Sequence, residues 1–142
     1  MKSVSWLLLF LVAIAGFAPS GDVGGVYHKA APGAGAKLLP ILPAEQLWGE
    51  YGQPHQKRAY ALAQKYSGVI YQLPCQCHCE RQGHTSLRSC FESLHGTGCY
   101  VCMKEVFYAA AQTRLGKTPA RIRQGITRSE HDRMDLQYGA LP

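Results

Sequence analysis

The sequence predicts a small all-α domain of about four helices, folded around an irregular Cys-x-Cys-x-Cys loop. Three observations predict it. Apolar residues recur at helical spacing at Ala59, Leu62, Ala63 and Tyr66, then at Cys99, Cys102, Met103, Val106 and Ala110, and again at Ile122 and Ile126. Proline and glycine punctuate these stretches, with Pro54 and Pro119 at first helical positions and Gly116 after the longest one. All 6 cysteines fall between Pro74 and Cys102, so the cysteine-rich part lies inside the helical part.

The chain is 142 residues long, enough for one domain. Residues 1–20 read as an export signal. Met1-Lys2 supplies the positive start, Trp6 to Val12 the apolar run, and Ala13 to Ala18 its extension into small residues. Ala13-x-Ala15 and Ala18-x-Ser20 both suit signal cleavage. The run is shorter than the roughly 20 apolar residues of a membrane span, and an uncleaved anchor is the alternative. No cysteine directly follows the run, so no lipobox anchor is expected. The expected location is exported, periplasmic or extracytoplasmic. Membrane contact would come only through an uncleaved N-terminal segment.

Residues 21–43 are rich in Gly, Ala and Pro and read as a flexible linker, with Leu38 to Pro43 able to dock on the domain. The domain itself is expected over residues 44–133. Its first helix runs from about Pro54 to Tyr66 and breaks at Ser67-Gly68. Val69, Ile70 and Leu73 continue the apolar phase as a helical turn, in competition with a short strand over Gly68 to Gln72. Cys75 to Gly83 must be a loop. Alternate residues of an extended strand point to opposite faces, so three alternate cysteines converge only if the chain turns. Thr85 or Ser86 caps a short helix that turns Leu87, Cys90 and Phe91 inward. Thr97 is placed to cap the helix from about Cys99 to Leu115, and Thr118-Pro119 opens a last helix ending near Arg133. Residues 134–142 read as a disordered tail.

The net charge is +6, and Arg114, Lys117, Arg121, Arg123 and Arg128 contribute with no acid among them. No nucleic-acid motif or aromatic interleaving accompanies them, so they read as a solvated helix face and no nucleic-acid partner is expected. There is no Cys-x-x-Cys-His haem motif, His-Glu-x-x-His, phosphate loop or Gly-x-Ser-x-Gly. Nothing argues for a hydrolase.

The chemistry is therefore in the sulfur. Thiolates select soft ions of the Zn or Cu(I) type. Cys99-x-x-Cys102 at a helix start is a zinc half-site, and Cys75, Cys77 and Cys79 add three sulfurs from the loop. Cys90, His78, His84 and His95 are further candidate ligands, while His28, His55 and His131 read as surface residues and Met103 as core. A second reading is thiol–disulfide exchange with a partner protein. Cys99 at a helix N-terminus would be the stabilised thiolate and Cys102 the resolving thiol, although the β-α-β setting of thioredoxin-like folds is missing. The third reading is three disulfides stapling an interaction module. Three cysteines within five residues suit it poorly, because staples gain most by closing long loops.

The chain resembles a bacterial family named for a Pro-Cys-Tyr-Cys-Gly-Cys motif, over about Ala59 to Ile126. The shared anchors are Pro74-Cys75-x-Cys77-x-Cys79, Gly83-His84-x-Ser86-Leu87-x-x-Cys90-Phe91, His95-Gly96-x-x-Cys99-x-x-Cys102 and Gly116-Lys117. The resemblance implies an exported or lipoprotein-like protein of uncharacterised function. Selenocysteine in the motif of some relatives implies redox or soft-metal chemistry there. This chain has Gln76 in place of the tyrosine and His78 in place of the glycine.

Overall fold

A computed structural model describes residues 24–137. The export segment at residues 1–20 and the end of the tail lie outside the described residues. Within them the protein is helical and contains no strand. The α-helices are α1 (Pro54–Lys65), α2 (Ser67–Ile70), α3 (Tyr100–Arg114) and α4 (Pro119–Thr127), with three short 3-10 turns (Cys79–Gln82, Leu87–Phe91 and Leu94–Gly98) between α2 and α3.

Helix α3 is the centre of the domain. Cys102, Met103, Glu105, Val106, Phe107, Tyr108, Ala109, Ala110 and Gln112 are all buried along it. A helix covered on most sides needs no single apolar stripe. Gly116 closes it as expected, with φ at 76° in the left-handed region and its N–H on Thr113 O at 2.9 Å. The cap at its start is not Thr97, whose hydroxyl donates to Leu94 O at 2.7 Å within its own turn. Cys99 is the N-cap, and its sulfur accepts the Cys102 N–H at 3.4 Å.

Helix α1 begins at Pro54, and the Gln56 side chain reaches back to accept the Gln53 N–H at 2.8 Å. Its buried face is Gln56, Ala59, Tyr60 and Ala63; Ala59 and Ala63 of the expected Ala59, Leu62, Ala63 and Tyr66 stripe are on it, while Leu62 and Tyr66 are only half-buried and Tyr60 is fully buried in their stead. The physical reason is Tyr60, which packs edge-on against Phe91 at 5.1 Å between ring centroids. The helical alternative holds for residues 67–70, where Val69 and Ile70 N–H groups both bond Tyr66 O.

Helix α4 opens on the Thr118 cap, whose side chain accepts the Arg121 N–H at 3.4 Å, but it stops at Thr127 rather than Arg133. Ser129 takes a left-handed conformation (φ 56°), and Glu130–Arg133 forms a separate turn. That turn buries His131, which is not a surface residue, and brings Met134 into the core. The start of the expected tail is thus packed. Arg128 also finds an acid just beyond the basic run, pairing with Glu130 at 2.6 Å.

The linker is less free than its composition suggested. His28 stacks on Tyr71 at 3.8 Å, and Arg123 lies over the Tyr27 ring at 4.5 Å. Gly24 O accepts from the Gln76 side chain at 2.9 Å. Ile41 is buried, and the Leu42 N–H bonds Phe91 O at 2.9 Å. Averaged composition hid these anchors, which are few and widely spaced. Between them the chain is mostly exposed.

Candidate metal centre

Four segments bring sulfur and imidazole together: the 75–79 loop, the turn containing Cys90, the turn containing His95, and the first turn of α3. The loop is shaped at both ends. The Gln76 N–H donates to Glu105 Oε1 of α3 at 2.7 Å, holding the loop apex against the helix. His78 adopts a left-handed backbone (φ 57°), which turns the chain back before Cys79. Glycine is the residue that takes this conformation without strain. Gly96 allows the His95 turn to close in. A Cβ there would meet Cys90 O at 2.8 Å and the Tyr60 hydroxyl at 3.0 Å.

The thiols then crowd together. Cys75 Sγ lies 3.0 Å from Cys77 and 3.4 Å from Cys102. Cys77 Sγ lies 2.8 Å from Cys79 and 3.4 Å from Cys102. All six cysteines are free, and these contacts are well beyond the roughly 2.05 Å of a disulfide bond. His95 Nε2 reaches Cys79 Sγ at 3.1 Å, and His84 Nδ1 reaches Cys90 Sγ at 3.4 Å. The two imidazoles pack edge to face at 4.7 Å.

Among the described residues, two sets of side chains have ligand atoms close enough to hold an ion. Cys75, Cys77, Cys79 and Cys102 form one, and Cys79, Cys90, His95 and Cys102 form the other, with all atoms of each set within 4.8 Å of one another. The remaining candidates fall outside both sets. The Cys99 sulfur is engaged as the helix cap and is half-buried. His84 stands behind Cys90. The His78 side chain is 65% exposed and lies 3.2 Å from Glu80, on the solvent side of the loop.

The electrostatics favour partial ionisation of the metal-free cluster. Hydrogen bonds from Cys102, then Cys77 and Cys90, hold the Cys75 thiol far below the ordinary range. Cys77 is lowered as well, chiefly by Cys102. Cys79 is pushed up by burial and by its neighbours Cys77 and Cys75. Cys102 is pushed up by Cys75, Cys77 and Cys90 in turn, because a proton on its sulfur serves the thiolates around it. Like charge resists ionisation of neighbouring sulfurs, as Cys75 opposes that of Cys77 3.0 Å away. A bound cation would reverse that resistance.

Glu105 is the site residue that sequence reasoning missed. It is fully buried, its Oε2 has no hydrogen-bond partner, and burial followed by the nearby Cys75 charge raises its pKa well above the usual carboxylate value. A signal was available: an acid three residues after Cys102, on the same face of an otherwise largely apolar helix.

Comparison with protein-family models, curated proteins and solved structures finds no match. Fold and site alone define the class: a small all-α, cysteine-rich domain whose clustered cysteines and His95 could hold a metal ion.

Proposed function

We propose that the protein is an exported binder of a soft metal ion of the Zn or Cu(I) type, related to the Pro-Cys-Tyr-Cys-Gly-Cys family. The observation that carries this reading is the convergence of Cys75, Cys77, Cys79 and Cys102 within 4.8 Å. A closed four-thiolate set suits a structural or carrier site, because zinc sites that activate water keep an open position. Burial adds protection, since Cys79 is 2% exposed and Cys102 0%. Export is supported by the N-terminal sequence pattern, and family membership by the shared cysteine, histidine and glycine spacing.

One observation favours a second reading. Cys99 caps a helix of 15 residues, is half-buried rather than buried, and lies one turn from Cys102. That placement suits thiol–disulfide exchange with a partner protein.

Expression with the N-terminal segment, purification from the exported fraction, metal analysis by mass spectrometry and thiol counting separate the two. Stoichiometric metal released by thiol modification is the expected result. Metal-free protein with one readily reduced disulfide would select the exchange reading. Three reduction-resistant disulfides with no metal uptake would eliminate both.

A further inference from the structure

The two ligand sets overlap at Cys79 and Cys102, and two tetrahedra that share two corners share an edge. We propose that the cluster holds two divalent, zinc-type ions bridged by the Cys79 and Cys102 thiolates. Cys75 and Cys77 are terminal ligands of one ion, and Cys90 and His95 of the other. The proposal rests on the soft-metal reading above and extends it from one ion to two.

Ligand number supports it first. A single tetrahedral ion is satisfied by the four thiolates of the first set and leaves Cys90 and His95 without a role. Yet Cys90 is fully buried, and His95 Nε2 faces the Cys79 sulfur at 3.1 Å. Donor type agrees: four cysteines around one ion, and three cysteines with one histidine around the other, are both tetrahedral zinc sets.

Charge decides between ion types. Five thiolates around two divalent ions leave one net negative charge. One divalent ion in the four thiolates of the first set, with Cys90 a neutral thiol, leaves two, and five thiolates around two monovalent Cu(I) ions leave three. Uncompensated charge in a buried site is costly, so the smaller residue of charge is favoured. The bridging position carries the same logic. A bridging sulfur spreads its charge over two ions, which suits the buried Cys79 and Cys102; of the terminal sulfurs Cys75 and Cys90 are buried as well and Cys77 is half-buried.

Outer partners hold the second set as well as the first. His84 reaches Cys90 and packs edge-on against His95, as Glu105 holds the Gln76 backbone of the first loop. Partners of this kind orient metal ligands and tune them.

The test uses the full chain, prepared under anaerobic reducing conditions and loaded with zinc or with cadmium. Native mass spectrometry of the zinc form is expected to show saturation at two ions per chain. Cadmium NMR is expected to show two resonances, one of four-sulfur and one of three-sulfur, one-nitrogen type, split by coupling through the shared sulfurs. His95→Ala and Cys90→Ser should each retain one ion and lose the nitrogen-ligated resonance, and His95→Cys should keep two. Saturation at one ion with a single resonance overturns the two-ion inference and leaves the one-ion reading standing, whereas no uptake overturns both. Two unsplit resonances overturn the bridge, and two ions retained in both His95→Ala and Cys90→Ser overturn the ligand assignment.

Discussion

Glu105 Oε1 accepts the Gln76 N–H at 2.7 Å, and this bond ties the apex of the cysteine loop to the helix that carries Cys102. The loop and the helix each bring sulfurs to the cluster, so the bond sets their separation. Glu105→Ala leaves a part-buried N–H without its acceptor. An unmade hydrogen bond of this kind costs about 1–3 kcal/mol. Glu105→Gln keeps the acceptor and should recover most of that stability. Chemical denaturation of the metal-free protein checks the stability order, and competition with a chelator checks the expected loss of about 10–100-fold in metal affinity for the alanine variant.

Removing Cys102 should be more severe than removing any outer partner. It belongs to both ligand sets and touches Cys75 and Cys77 directly. Cys102→Ser should lower metal affinity by more than about 100-fold, beyond the range of outer partners. Metal retention at equal affinity in this variant would remove the cluster from consideration as the binding site.

His78→Gly should leave metal binding unchanged and stabilise the fold. The imidazole lies in solvent beside Glu80. The left-handed backbone at that residue costs a non-glycine side chain about 1–2 kcal/mol. Glycine's greater freedom in the unfolded chain offsets part of the gain, so about 1 kcal/mol or less is expected in the midpoint of a urea titration. A drop in affinity would show instead that His78 reaches the ion.

Stability should fall on mild acidification through His131. Its pKa lies below the usual 6.5, mainly because burial penalises the charged ring. The unfolded chain then binds the proton more readily than the folded one. This contribution is fully present above about 6.5 and is lost as pH falls below that value. His131→Gln should flatten the change in denaturation free energy between pH 7.5 and 5.5, measured in the absence of metal. An unaltered slope would assign the acid sensitivity elsewhere.

Ile41 should matter although it lies in the stretch that composition marks as linker. It is 6% exposed and belongs to the core cluster. Ile41→Ala should destabilise by about 2–5 kcal/mol, the usual range for a buried aliphatic residue cut to alanine. A change within 0.5 kcal/mol, typical of surface positions, would mean that the strap does not hold.

Much of the helical layout was legible along the chain. Pro54, Pro119 and Gly116 act locally, through φ restriction or left-handed freedom, so their neighbours reveal their effect. The boundaries that slipped were set by distant partners. Tyr60 joins the buried face of α1 because Phe91 lies beside it, and Ser129 ends α4 early with His131 and Met134 turned into the core. The linker anchors follow the same rule. Tyr27 needs Arg123, and His28 needs Tyr71, each supplied from far along the chain.

By itself the sequence determined that this is a helical domain with its cysteines gathered in residues 75–102, because periodicity, punctuation and cysteine spacing are local properties. Tertiary structure alone decided which of those groups meet. It placed Cys90 and His95 with Cys79 and Cys102, set Cys99 as a cap, turned His78 into solvent and buried Glu105 beside the loop. Ligation needs atoms from four segments within a few ångströms, and only the packing of α3 against the turns around it brings them there.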